Sequence, residues 1–304
     1  MPDTHEIEKF KSGIVAVIGR PNVGKSTLVN QMLQFPLSIT TPKPQTTRHR
    51  ILGVQSKENA QLVFLDTPGL IDPKYTLQKR MVGAAISAVR DADVILVLTD
   101  AKEKPGSHHH PVFALMEEHR KPTVLAINKI DLVDKGSLLP LVDHYSKHYK
   151  FVDIVPISAL KDENLDELEK VLLSHIPYGH PFYPTDMITE HPERFFVGEL
   201  IREQLFINFS HEIPFSTAVV IEDFKEKPGR KDYIKARIIV ERDSQKKIII
   251  GAKGSALRKI GQEARKKIEG FLNRPVYLEL FVAVREKWRK QDMFLKEFGY
   301  DQRS

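Results

Sequence analysis

The chain has 304 residues, 41% of them hydrophobic and 28% charged, a composition ordinary for a folded protein of about two domains. It contains no cysteine, which excludes disulfides and thiolate metal sites, and no run of about 18 uncharged apolar residues, which excludes a membrane-spanning helix. The formal charge of +6 is unevenly placed: residues 185–224 hold 2 basic and 8 acidic side chains, whereas residues 225–290 hold 20 and 8. A segment that positive suits a polyanion, either nucleic acid or an anionic membrane surface, and a well-solvated surface would explain it equally. The first eleven residues are polar and lack an apolar signal core, so the expected location is the cytoplasm.

In chain order, the apolar run Ile14–Ile18 reads as a strand and Ser26–Leu33 as a helix. Between them lies Gly19-Arg20-Pro21-Asn22-Val23-Gly24-Lys25-Ser26, followed by Thr27, which satisfies the phosphate-loop pattern G-x-x-x-x-G-K-[ST]. Backbone N–H groups of such a loop converge on phosphate oxygens at a helix N-terminus. Lys25 is expected to reach the β- and γ-phosphates and the Ser26 hydroxyl to ligate Mg²⁺. Short apolar runs recur at Leu62–Leu65, Val94–Leu98, Thr123–Ile127 and Ile154–Ile157, alternating with helical stretches at Gln78–Arg90, His110–Arg120 and Asn164–Leu173. This alternation predicts a doubly wound, mostly parallel α/β sheet with ligand sites at the carboxyl ends of its strands.

Three further motifs fall at those ends. Asp66-Thr67-Pro68-Gly69 follows the second run; Asp66 suits a water-mediated Mg²⁺ contact and the Gly69 N–H would sense the γ-phosphate. Asn128-Lys129-Ile130-Asp131 follows the fourth. The Asp131 carboxylate can accept from guanine N1–H and its exocyclic amine, a donor pair adenine does not present. Asn128 would tie this segment to the phosphate loop, and the Lys129 stem would cover the base. Ser158-Ala159-Leu160 would supply a backbone N–H to guanine O6. The order and spacing predict a GTPase. His108–His110 would form a loop with no physiological metal role.

Together with Pro44-Gln-Thr-Thr-Arg-His-Arg-Ile51, these motifs resemble the bacterial Era GTPases. The resemblance implies that a switch threonine completes the Mg²⁺ shell. Thr47 fits the T-R pattern of related GTPases, with Thr46 as the alternative. Asn22 occupies a position that related GTPases use to hold K⁺ near the phosphates, and a role in shaping the turn is equally open. Leu70 stands where Ras-like GTPases carry a water-orienting glutamine; leucine has no hydrogen-bonding group, so slow intrinsic turnover is expected.

Five prolines and glycines between Pro177 and Pro192 predict a linker over 177–192, after a GTP-binding domain over 1–176. Beyond it, Arg194–Phe209 reads as a helix, Phe215–Phe224 and Tyr233–Val240 as strands joined by Pro228-Gly229, and Ser244–Ile250 as a short helix, with a single turn or a strand end as the alternatives. Gly251-Ala252-Lys253-Gly254 then precedes a helix over Ser255–Gly270. Leu257, Ile260, Ala264 and Ile268 share one face of it, while Arg258, Lys259, Arg265 and Lys266 stand away. A last strand spans Val276–Val284. The order α-β-β-α-α-β and the G-x-x-G loop resemble a smaller α+β domain, a KH domain of the second type, over 193–304 with a basic C-terminal tail. That resemblance implies RNA binding through Ile250–Gly254, Arg258, Lys259 and Arg265. Arg285, Lys287, Arg289 and Lys290 around Trp288 would stack on and neutralise RNA, or snorkel at a membrane surface.

The Era resemblance extends over roughly residues 12–290 and includes Ile188–Phe196 and Val240–Asp243. It implies a GTP/GDP switch with Mg²⁺, binding to the 3′ end of 16S rRNA, a role in assembly of the 30S subunit, and a peripheral fraction at the inner membrane. A monomer is expected. The alternative is a membrane-surface GTPase switch whose basic domain binds anionic lipid or protein instead of RNA.

Overall fold

The computed structural model describes residues 10–103 and 111–300, so the His108–His110 triplet lies outside the described residues. The first unit runs β1 (Lys11–Gly19), α1 (Lys25–Leu33), β2 (Ile51–Lys57), β3 (Ala60–Asp66), α2 (Thr76–Asp91), β4 (Val94–Asp100), α3 (Pro111–His119), β5 (Thr123–Asn128), α4 (Leu138–His148), β6 (Asp153–Pro156) and α5 (Leu165–His175). Its strands form one sheet in the order β2-β3-β1-β4-β5-β6. All neighbours are parallel except β2, which turns back on β3 through Glu58 and Asn59. β1 lies centrally, with Val15 opposite Phe64 on one side and Val94 on the other. Alternate residues of each strand feed opposite cores. Val15, Val17, Phe64 and Leu96 pack against α1 and α5, while Ala16, Ile18, Val63 and Ile95 pack against α2, α3 and α4. Burial on both faces accounts for the unbroken apolar runs.

Two elements of the first unit escaped the sequence reading. β2 carries only Ile51, Leu52 and Val54, interrupted by Gly53, before Gln55, and α4 has Pro140 in its first turn and a mostly exposed surface. Proline is tolerated there because the first-turn N–H groups have no intrahelical acceptor.

The expected linker is an ordered strap along the first sheet. The Gly179 N–H donates to the Phe10 carbonyl at 3.0 Å and Ser12 Oγ to the His180 carbonyl at 2.6 Å. Gln61 Oε1 accepts from the N–H groups of Phe182 and Tyr183, and the Val54 N–H donates to the Ile188 carbonyl at 2.7 Å.

The second unit comprises α6 (Glu193–Asn208), α7 (Ile213–Ser216), β7 (Ala218–Lys225), β8 (Asp232–Val240), α8 (Asp243–Ile250), α9 (Ser255–Leu272), β9 (Val276–Val284) and α10 (Asp292–Glu297). Its sheet has the order β7-β8-β9, with β7 antiparallel and β9 parallel to β8. α6, α8 and α9 cover one face around Val197, Ile201, Ile238, Ile249, Ile260 and Ile268. Ser244–Ile250 is helical, as the order α-β-β-α-α-β expects, and not the alternative turn or strand end: Gln245 Oε1 accepts the N–H groups of Glu241 and Arg242, closing the helix start.

The surface setting expected around Trp288 is also corrected. Trp288 is 0% exposed and donates its indole N–H to the Ser216 carbonyl at 2.9 Å. With Leu295, Phe298 and Tyr300 it packs on Ile239 and Ala218 and on Leu77 and Met81 of α2. Burial leaves the indole unable to stack on RNA or to snorkel at a membrane. Of the surrounding cations, Arg289 pairs with Glu241 at 2.5 Å and lies over the Tyr75 ring. Among the described residues no helix is long and apolar enough to cross a membrane.

Candidate functional site

The β1–α1 turn folds as its glycines require. Gly24 has φ +103°, and a Cβ there would sit 2.3 Å from Asn128 Nδ2; Asn22 itself has φ 65°. A Cβ on Gly69 would meet the Pro21 nitrogen at 2.7 Å, so the Asp66–Gly69 turn abuts the phosphate loop. These segments border a cleft of roughly 480 Å³ with Asn22, Gly24, Lys25, Ser26, Thr27, Thr47, Gly69, Asn128, Lys129, Asp131, Ala159 and Leu160 among its lining. Arg20 points outward to Glu103 at 3.2 Å. Gly19, Val23, Asp66, Thr67, Pro68 and Ser158 are outside the lining and support it from behind. Thr67 Oγ1, for instance, donates to the Val17 carbonyl at 2.6 Å. The sequence reading missed Ile39–Pro42, Gln45 and Leu132, which also line the cleft; Ile39–Pro42 precede the Pro44–Ile51 motif and belong to none of their own.

At the phosphate end, Lys25 Nζ donates to the Arg20 carbonyl at 2.9 Å and the Gly19 carbonyl at 3.3 Å. Burial pushes its ammonium down to about 8, partly countered by Asp66. Ser26 Oγ lies 2.8 Å from Thr47 Oγ1 and donates to Asp66 Oδ2 at 2.7 Å. Thr46 also lines the cleft, but its Oγ1 donates to the Lys43 carbonyl at 2.7 Å and lies 2.6 Å from Thr41 Oγ1. Asp66 Oδ1 is buried without a hydrogen-bond partner, and burial pushes its carboxyl up against the pull of the Ser26 hydroxyl. Two hydroxyls converging beside an orphaned carboxylate oxygen fit a hard divalent cation, which would supply the missing charge. Leu70 is buried, with its N–H on the Gly19 carbonyl at 3.1 Å, so its side chain faces the core.

At the other end, Asn128 bridges three loops. Its Nδ2 donates to the Val23 carbonyl at 2.7 Å and its Oδ1 accepts from the Ala159 N–H at 2.9 Å. Ser158 Oγ donates to Asp131 Oδ1 at 2.6 Å, fixing the carboxylate while leaving its second oxygen for a ligand. Lys129 Nζ reaches the Asn22 carbonyl and Asp100 Oδ2, both at 2.7 Å, which lays its stem across the cleft.

In the second unit, Gly251 and Gly254 have φ +72° and +77°, and Lys253 between them has φ +49°. A Cβ on Gly251 would strike Ala256, whereas Gly254 faces open space. The loop opens into a groove of roughly 370 Å³ between α9 and the free edge strand β9. It is lined by Gly254, Leu257, Arg258, Gly261, Gln262, Arg265, Tyr277, Leu278 and Leu280. Gly261 keeps the floor low, since even a Cβ there would touch Leu280 at 3.5 Å. Lys259 stands outside this lining, 3.8 Å from Glu263, and so do Ile250, Gly251, Ala252 and Lys253, which immediately precede Gly254 in the chain. The β9 contribution was missed; its alternation identified a strand but not which edge was open.

Residues 14–129 match the family of 50S ribosome-binding GTPases, and residues 212–289 match the KH domain family. GTPase Era of Geotalea daltonii is 47% identical over 97% of this chain and 99% of its own, and GTPase Era of Lacticaseibacillus paracasei is 46% identical over 97% and 98%. The crystal structure of an Aquifex aeolicus Era variant bound to GDP·AlF4⁻ has a TM-score of 0.92, 43% identity, and coverage of 96% of this chain and 99% of that one. An Era structure in complex with MgGDPNP and nucleotides 1506–1542 of 16S ribosomal RNA matches equally, with a TM-score of 0.92 and 44% identity over the same shares. The chain belongs to the Era family of GTPases, a GTP-hydrolysing domain followed by a KH domain.

Proposed function

We propose that the chain is a GTP-controlled RNA-binding switch that engages the 3′ end of 16S rRNA during maturation of the 30S subunit. The observation that carries the RNA reading is the glycine loop. Two glycines at positive φ open it onto an apolar groove flanked by Arg258 and Arg265. Phosphates approach closely where side chains are absent, and bases lie on Leu257, Leu278, Leu280 and Tyr277. The Era relative solved with a 16S rRNA fragment supports the choice of RNA.

In the first domain, main-chain amides of residues 19–26 cradle the phosphates and Lys25 exchanges its carbonyl partners for phosphate oxygens. Asp131 selects guanine, and Asn128 keeps the base loop and the phosphate loop in register. Ser26, Thr47 and Asp66 are the residues that would hold Mg²⁺. When bound, the ion offsets charge on the β- and γ-phosphates. The Gly69 N–H reports the γ-phosphate. No side chain replaces the glutamine of Ras-like GTPases at Leu70, so intrinsic hydrolysis is slow. Asn22 Nδ2 donates to the Pro42 carbonyl at 2.9 Å, and its amide oxygen would be the atom to hold K⁺, which would supply positive charge near the phosphates. GTP orders residues 36–50 and thereby favours the RNA-competent packing of the two domains.

The test is binding of an RNA matching nucleotides 1506–1542 by the full chain and its Gly254→Asp variant. Open space at Gly254 spares the fold from a clash, while the carboxylate repels phosphate. Affinity is expected to fall by about 30-fold, on the order of one lost clamp. Equal affinity, or a matching loss on anionic lipid vesicles, would overturn the RNA reading.

A further inference from the structure

The loop of residues 36–50 leaves the nucleotide cleft and lands on α6 of the KH unit. There Arg202 Nη2 donates to the Thr46 carbonyl at 2.5 Å. Glu199, one turn earlier, grips the same guanidinium through Nε at 2.8 Å and through Nη2, and the Phe206 ring lies against it at 5.3 Å. The arginine is 1% exposed. From the loop side, Arg48 donates to the Thr217 carbonyl at 2.6 Å and the Pro214 carbonyl at 2.9 Å, over the same Phe206 ring. Lys43 donates to the carbonyls of Phe206 and Phe209, where the α6 dipole is negative.

The Thr46 carbonyl and the Thr47 N–H belong to one rigid peptide plane. Holding that oxygen anchors the backbone on which the Thr47 side chain stands, and the neighbouring Oγ1 lies 2.8 Å from Ser26 Oγ. We infer that Arg202, supplied by the KH domain, is a positioning residue for Thr47 and raises the affinity for Mg²⁺ when the nucleotide is a triphosphate. The inference rests on the metal roles proposed for Ser26 and Thr47 and is independent of RNA binding.

Charge makes this grip conditional. Two guanidiniums, Arg48 and Arg202, share a buried space with the Glu199 carboxylate, and Arg202 Nη1 has no hydrogen-bond partner. An imperfectly neutralised buried cluster gives little net stability on its own. The contacts on the cleft side and on the α6 side thus hold the loop jointly, and losing one set weakens the other.

The full chain, Arg202→Ala and Glu199→Gln are compared for release of fluorescent GDPNP and fluorescent GDP across a Mg²⁺ titration. Fluorescence of the single tryptophan, Trp288, is recorded on each nucleotide-free protein, since it reads packing at the same seam. Arg202→Ala is expected to raise the Mg²⁺ needed to retain GDPNP by about tenfold and that for GDP by less than about twofold. Glu199→Gln, which frees the guanidinium at constant volume, shifts GDPNP in the same direction by about threefold. If Arg202→Ala alters the Trp288 emission, Glu199→Gln decides. An unchanged GDPNP requirement, or equal shifts for both nucleotides, overturns the inference while leaving the RNA-binding reading intact.

Discussion

The nucleotide cleft and the groove proposed for RNA are built on opposite plans. The cleft is closed by buried polar pairs, such as Asn128 with Val23 and Ala159 or Ser26 with Asp66, so each ligand atom meets a fixed partner. The groove is an apolar trough beside an open strand edge, with Tyr277 58% exposed and arginines at its rim. Fixed partners give selection between similar ligands, whereas an apolar trough with mobile cations gives tolerant, salt-sensitive binding. Single substitutions should therefore act sharply in the first site and gradually in the second.

The largest effect is expected at Asp131. An Asp131→Asn amide would place a donor against the guanine amine, whereas xanthine offers a carbonyl there. GTP affinity should fall on the order of 1000-fold with preference passing to XTP, read by competition against a fluorescent nucleotide. Retained GTP preference would break the comparison at its sharp end. Replacing Arg258 and Arg265 together with alanine should weaken RNA binding about 20-fold. It should also lower the slope of log affinity against log salt by about 1.4, as for two single-strand phosphate contacts. An unaltered slope would show that these side chains do not touch phosphate.

A proton should accompany nucleotide binding only in the cleft. In the free protein burial holds Lys25 at about 8, below its ordinary 10.5, and phosphate charge draws it back up. Binding at pH 9 should take up nearly one proton, and binding at pH 6.5 none through this group, as calorimetry in buffers of different ionisation enthalpy would reveal. The sign also fixes stability: the folded nucleotide-free protein binds fewer protons than the unfolded chain between about pH 8 and 10.5. Lys25 therefore adds stability as pH rises through that window. The smallest effect is expected at Asn22. GTP turnover should be several-fold faster in K⁺ than in Na⁺, and Asn22→Ala should level the two.

The same contrast explains what the sequence disclosed. Motifs of the cleft are contiguous because a strand end, a turn and a helix start deliver neighbouring residues to one ligand, so Gly19–Ser26, Asp66–Gly69 and Asn128–Asp131 were readable. Leu257, Ile260, Ala264 and Ile268 announced a helix face through their spacing alone. The groove's other wall was not readable, because Leu278 and Leu280 become ligand-facing only when β9 ends up at a sheet edge. Trp288 misled for the same reason: among four basic neighbours it suggested a surface, yet long-range packing on Leu77 and Met81 buries it. The Arg202–Thr46 contact joins residues 156 apart in sequence and carries no local signature.

The most direct test of the switch is the affinity of the full chain for the 1506–1542 RNA with Mg·GDPNP and with Mg·GDP. At least about tenfold tighter binding with GDPNP is expected, and linkage then requires RNA to raise the protein's preference for GDPNP over GDP by the same factor. Equal affinities in the two nucleotide states would contradict it.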